Sequence, residues 1–242
     1  MFVEAEAIPY SPAHLRGERL LVLAPHPDDE VIGCGGTLLD VAERGGAVTI
    51  VQVTDGSDSA AFIDEPEHVR RQVRLDEAQA VASAIGAREL VCLRADNRNL
   101  RATPELVDAF VAVLARTRAG TVFAPSFIDI HPDHQTVLRL LAEAMRQLGT
   151  PLPDVALYEV WSLVPHHVVH DVTARMPKIE ELLLLYETAL KIDDYVHMVA
   201  ERLLWHSLEH RGQPGYVEGF ELHAGARFLE LADAHFGARA PS

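Results

Sequence analysis

The residues Leu20, Leu21, Val22, Leu23 and Ala24 form an unbroken apolar run that stops at Pro25, and His26, Pro27, Asp28, Asp29 and Glu30 follow it. A helical pattern then begins at Val31, Leu38, Leu39 and Ala42. A short apolar run bounded by proline predicts a buried strand, and the acids behind it predict a helix start. The segment is therefore a strand-turn-helix unit with polar residues on the strand's carboxyl end. The design returns later: Thr121, Val122, Phe123 and Ala124 run into Pro125, and His131, Pro132, Asp133 and His134 lead into Val137, Leu138, Leu141 and Met145. Pro132 suits a first helical turn, and His131 and His134, three apart, can share one face.

The chain between and beyond these units alternates in the same way. Strands are predicted at 19–25, 47–53, 89–94, 120–125, 155–161 and 167–172, and helices at 30–44, 67–85, 104–118, 133–148, 175–190 and 194–210. Such alternation predicts an α/β fold, a Rossmann-like, mostly parallel sheet flanked by helices. Ligands of such sheets bind beyond the carboxyl ends of the strands, where both His-Asp motifs fall. With 242 residues and 48% hydrophobic content the chain can bury one substantial core, and a single domain over 1–242 is expected. Loops at Pro151 to Pro153 and Gly212 to Gly215 are too short for a domain linker.

Composition narrows the partners. The formal charge of 21 minus 36, or −15, argues against a surface that tracks nucleic-acid phosphates. No run approaches the roughly 20 apolar residues that span a bilayer, and the acidic amino terminus lacks a signal-sequence pattern, so a cytoplasmic protein with no membrane partner is expected. Cys34 and Cys92 are too few and too far apart for a disulfide framework or a cysteine zinc site, and both are expected as buried thiols.

Two readings fit Asp28, Asp29 and Glu30. They suit a helix N-terminus, whose dipole they complement. With His26 they also suit a cation, one carboxylate coordinating while its neighbour stays free as the base that metal-assisted hydrolysis requires. Recurrence of His and Asp at a second strand end favours the second reading. Gly33, Cys34, Gly35 and Gly36 loosely match a nucleotide-loop pattern but lie inside the helix instead of at its turn, so close helix packing is expected and a dinucleotide is not. The loop 54–68 follows a strand and is placed to line a pocket. His166, His167 and His170 read as surface residues or secondary contacts, not as a second metal site.

The segments APHPDDE at 24–30 and HPDH at 131–134 resemble the PIG-L/LmbE-like superfamily of zinc-dependent N-acetylglucosaminyl deacetylases, with Pro25 where the family commonly has Ala. Thr54, Asp55 and Gly56 resemble its second-strand loop, and Arg74, Glu77, Ala78, Ile85 and Gly86 its R-x-x-E-A helix. Asp171 to Thr173 with Lys178 and Tyr186, and Tyr216 to Phe220, resemble later segments of the family. The resemblance implies His26, Asp29 and His134 as ligands of Zn2+, with Fe2+ or another divalent cation as the alternative. It further implies Asp28 as general base, His131 as the group stabilising an oxyanion or protonating a leaving amine, and Arg74 as a substrate contact. Asp133 would orient a histidine ligand.

The function implied is hydrolytic removal of acetyl from a small-molecule N-acetylglucosamine-type sugar or conjugate. The same two-His-one-carboxylate set serves non-haem iron oxygenases, but Asp28 has a task in hydrolysis and none in oxygen activation. A catalytically silent sugar-binding protein is the other alternative, against which stands retention of all five proposed positions. The sequence leaves open the acceptor sugar, a homo-oligomeric state, and whether Tyr216, Glu218 or His223 reaches the pocket.

Overall fold

The computed structural model describes residues 18–59, 64–97, 100–211 and 214–237, so the reading of the amino terminus falls outside the described residues. Five strands, β1 (Arg19–Ala24), β2 (Ala47–Thr54), β3 (Glu89–Ala95), β4 (Thr121–Pro125) and β5 (Asp154–Tyr158), pair in parallel. They alternate with α1 (Asp29–Glu43), α2 (Glu67–Ile85), α3 (Pro104–Thr117) and α4 (Pro132–Leu148). With β6 (Val168–Asp171) and β7 (Val217–His223) they make one seven-stranded sheet in the order β3-β2-β1-β4-β5-β7-β6. The α/β, mostly parallel architecture expected from the sequence is the one found.

Chain direction decides where a site can lie. From β1 the chain builds outward through β2 and β3, then crosses back to place β4 on β1's other edge. The helices after β1 and β4 leave the sheet on opposite faces: α1 belongs to the core containing Leu20, Val22 and Phe123, and α4 to the core containing Leu21, Leu23 and Val122. Strands that diverge in this way open a crevice at their carboxyl ends. Both His-Asp motifs are the turns that border it.

The last third departs from expectation. The sequence reading assigned no strand to Val217–His223, yet β7 sits inside the sheet, antiparallel to both β5 and β6. Its signal is weak for a physical reason: Glu218 is buried within it and Gly219 packs under the His166 ring, so alternation covers only Phe220 to His223 and Val217 is its one β-branched residue. The helix expected at 175–190 is two, α5 (Met176–Leu184) and α6 (Glu187–Leu190), because Tyr186 turns inward and its hydroxyl donates to Glu30. Then follow α7 (Tyr195–Arg211) and α8 (Gly225–Phe236), the latter also unassigned from sequence. Among the described residues no helix is long and apolar enough to cross a membrane. Cys34 is buried, whereas Cys92 is only partly so, which corrects the expectation of two buried thiols.

The glycines of α1 serve packing. A Cβ on Gly33 would lie 2.2 Å from the Tyr158 ring, and one on Gly36 2.4 Å from Val172. The helix also kinks at Cys34, where φ is −153°, and the amides of Gly36 and Thr37 released there donate to the buried Glu218 carboxylate at 2.7 and 2.9 Å. Tyr158 cannot retreat from Gly33 cheaply, since its hydroxyl donates to the Leu23 carbonyl at 2.7 Å. Gly33→Ala is therefore expected to cost about 1–3 kcal/mol by overpacking. Urea denaturation would measure it as a lower midpoint with an unchanged slope.

Candidate metal centre and active site

His26 lies in the turn after β1 and Asp29 opens α1; His131 caps α4 and His134 stands one turn inside it. The crossing brings them together. His26 and His134 have ring centroids 5.4 Å apart, and His131 lies 4.7 Å from the first and 4.9 Å from the second. Ring nitrogens of all three fall within 4.8 Å of one another.

Hydrogen bonds assign the nitrogens. His134 Nδ1 faces Asp129 Oδ2 at 3.1 Å, and a carboxylate accepts only, so Nδ1 carries a proton and Nε2 presents its lone pair. Nε2 is buried without a hydrogen bond, 3.3 Å from Asp29 Oδ2. His26 is arranged the other way round: Nε2 meets Asp133 Oδ2 at 3.0 Å, which leaves Nδ1 toward Asp29 Oδ2 at 3.3 Å. His131 differs from both. Its Nδ1 accepts the Asp133 backbone N–H at 3.2 Å, so the neutral ring carries its proton on Nε2 and is a donor.

Two imidazole lone pairs thus converge on one carboxylate oxygen, and the fit to a cation can be tested on distances. Donors about 2.0–2.1 Å from a shared tetrahedral cation stand roughly 3.3–3.4 Å apart. Both separations from Asp29 Oδ2 are 3.3 Å, and a cation there would give the buried His134 Nε2 lone pair a partner. His26, Asp29 and His134 can therefore hold a divalent metal. Asp129 and Asp133 fix the ring orientations, as carboxylates behind metal-binding histidines generally do.

The charges agree. Burial opposes protonation of His26, but its bonds to Asp133 and Asp29 outweigh that and raise it to about 9. Burial likewise opposes the charge on His134, while Asp29 and Asp129 carry it up to about 10. Asp29 is held well below the usual carboxylate range, burial being overcome by His134 and His26. Two rings that attract a positive charge around one ionised carboxylate make a charge pattern that suits a cation. His131 is pushed down by burial and by the two neighbouring rings, so it stays neutral.

Asp28 is set apart from this cluster. Burial raises its carboxyl to about 6, against the opposing charge of Arg74, whose Nη2 reaches Asp28 Oδ2 at 3.2 Å. Its backbone is held at φ 127°, a region that favours glycine and costs about 1–3 kcal/mol for other residues. Arg74 also donates to the Pro27 carbonyl and to Glu77, so its guanidinium clamps the whole turn. A cavity of about 190 Å³ opens over Asp28, Asp29, His26 and His131, with Arg74, Asp58 and Asn97 on its polar side. Val160, Trp161, Ile192 and Tyr195 form an apolar wall opposite, so the last third of the chain roofs the site.

Residues 21–145 match the sequence pattern of the PIG-L family, described as GlcNAc-PI de-N-acetylase. The chain belongs to the PIG-L family. This family member is 31% identical over 137 residues to the diacetylchitobiose deacetylase of Thermococcus kodakarensis, covering 55% of the chain and 51% of that relative. The chain spans about half the length of several of the curated relatives it matches. In fold, it resembles the N,N'-diacetylchitobiose deacetylase of Pyrococcus horikoshii, with a TM-score of 0.77 and 21% identity over 88% of this chain and 86% of that one. The 4-carboxy-2-hydroxymuconate hydratase of Pseudomonas putida KT2440 shares the fold too, with a TM-score of 0.72 and 21% identity over 84% of this chain and 95% of that one.

Within this PIG-L chain the His-Asp cluster and the brace from Asp133 to His26 lie where the sequence pointed, but one support did not show there. Asp129 is the main omission: it braces His134, and its other oxygen accepts the His131 N–H at 2.9 Å. Its only sequence signal was an acid two residues before His131. The loop 54–68 does line cavities through Thr54, Asp55, Gly56, Asp58 and Ser59, with residues 60–63 outside the described ones. Tyr216, Glu218 and His223 do not line the active-site cavity. The three later histidines disperse: His170 pairs with Asp40 at 2.6 Å, His166 packs on His206, and His167 faces the Leu222 carbonyl at 3.0 Å.

Proposed function

We propose that this PIG-L family chain is a metal-dependent hydrolase that removes acetyl from an N-acetylated amino sugar or its conjugate. The observation that carries the reading is the division of labour among neighbours: two histidine nitrogens and Asp29 converge on one point, while Asp28 stands beside them as a half-buried carboxylate held by Arg74. His26, Asp29 and His134 would hold the cation, and two nitrogens with one oxygen suit zinc first and iron(II) next. A divalent cation so held lowers the pKa of water and polarises an amide carbonyl.

The chain's own groups supply the rest. Asp28 accepts the proton of the attacking water, with Arg74 keeping its carboxylate turned into the cavity. His131 donates from Nε2 to the oxyanion that forms on the acetamide, a role its fixed tautomer prepares. The leaving amine takes up a proton from Asp28 or His131. Arg74, Asp58 and Asn97 offer polar contacts to sugar hydroxyls, and Trp161 with Tyr195 offers an apolar face to the ring or its aglycone. Similarity to the Thermococcus kodakarensis diacetylchitobiose deacetylase supports the substrate class. Acetate and free-amine release from a panel of N-acetylated glucosaminides, tracked against metal content, tests it. Release that rises with metal supports the reading; a metal-loaded protein that releases no acetate from any member overturns it.

His131→Ala is expected to keep its metal and to lower kcat on the order of 10²–10³-fold with little change in KM, as for a donor used mainly in the transition state. Steady-state kinetics with metal analysis decides the matter. An unchanged kcat with raised KM would make His131 a ground-state contact, and lost metal would make it a ligand.

A further inference from the structure

A second cavity, of about 160 Å³, lies behind the active-site turn, between the carboxyl ends of β2 and β3 and helix α2. That is about ten times the roughly 10–15 Å³ that one water needs. It shares only Arg74 with the cavity over Asp28. Its lining has unsatisfied donors. Gln52, 2% exposed, points from β2 into it, and the amide Nε2 makes no hydrogen bond among the described residues. The amide oxygen is already used, since it accepts from Cys92 Sγ at 3.7 Å. Arg74 Nε is buried and unpartnered as well.

The charged acceptor in the lining already has partners. Asp55 is the one carboxylate in the lining; its Oδ1 accepts the Ser57 amide at 2.9 Å and its Oδ2 the Arg71 guanidinium at 2.6 Å. Arg94, itself exposed, and His68 also line the cavity. Arg94 has been brought there by the backbone. Between the pairs Gln52↔Cys92 and Thr54↔Ala95 the register slips by one residue, and Arg94 is the extra one, at φ 56°. Bulges of this kind re-aim a side chain, and here Cys92 and Arg94 face the same cavity. Leu75 and Pro27 supply an apolar floor.

We propose that this cavity binds a small organic anion, a carboxylate or phosphate on a short carbon body, with the anionic oxygens on Gln52 Nε2 and the Arg94 guanidinium. A buried donor without an acceptor is costly, and charge-assisted bonds from arginine are the strong ones. The anion is either a free metabolite or the distal arm of a substrate whose reacting end lies beyond Arg74. The site does not depend on the deacetylase reading, because its occupancy is measurable without turnover.

Calorimetric titration of the metal-loaded protein with succinate and with inorganic phosphate, at ionic strength fixed by chloride, tests the proposal. Saturable binding at one site is expected, weakened at least about tenfold by Gln52→Leu, which keeps the size and removes the donor. Arg94→Asn should weaken it similarly while tolerating the left-handed backbone, so a folded bulge survives. Arg227→Ala, at an exposed ion pair, should leave binding unchanged. Absence of saturable binding by either anion, or binding that neither pocket variant alters, overturns the proposal. The source is separated by kinetics on N-acetylated glycosides: a KM raised in both variants only for anionic aglycones identifies a substrate arm. Unchanged KM for all of them, with binding of the free anion lost, identifies a separate ligand.

Discussion

Replacing His26, Asp29 or His134 with alanine is expected to remove bound metal and turnover together. Each of the three supplies one donor to a point that the other two cannot hold with the same geometry, and a catalytic zinc site has three protein ligands to lose. Metal binding is also worth a large free energy to such a site, so loss of one donor lowers occupancy steeply. His134→Ala removes the orphaned Nε2 and strands Asp29 with a single histidine. Asp129→Asn is the graded companion: it weakens the partner of His134 Nδ1 without touching a donor, so metal affinity should fall about 10–100-fold instead of vanishing. Elemental analysis after dialysis against limiting metal reads both effects. Full occupancy in all three alanine variants would sink the ligand assignment, and an unaltered affinity in Asp129→Asn would leave the carboxylate without a role at the centre.

How much of this was legible in the sequence follows from which interactions are local. β1 to α1 and β4 to α4 are each written in one continuous segment, an apolar run, a proline stop and a helix start, and they appear where expected. The two motifs are far apart in the chain, but alternation of strands and helices already implies a parallel sheet, and a parallel sheet puts both turns on one edge. Asp133 was legible as a support from its place beside His134, whereas most of the others are long-range partnerships. Arg74 reaches Asp28 across 46 positions, and Glu218 reaches Thr37 across 181. Nothing near Glu218 in sequence says that a kink in α1 will need an acceptor. Asp129 is local, yet a lone acid in a loop carries no mark distinguishing a brace from a solvated side chain. β7 failed for the same reason as Glu218: its residues are chosen for the neighbours they meet, not for strand periodicity.

Asp28→Asn is expected to retain metal and to lose about 10²–10⁴-fold in kcat, the usual loss when a general base is removed. The substitution isolates one property. Asparagine keeps the size of the side chain, still offers an oxygen to Arg74 Nη2, and has the same branching at its β-carbon as the aspartate that already adopts φ 127°, so the turn should stand. What it cannot do is take a proton from water. Asp28→Ala would confuse matters, because Arg74 would lose an acceptor in a buried setting and the strained backbone would lose its tie. KM should change little, since the proton moves only in the transition state. The paired measurement is metal content and kcat on the same preparation: near-normal turnover would remove Asp28 from the mechanism. Loss of metal would make Asp28 part of the cation site and leave hydrolysis without its base.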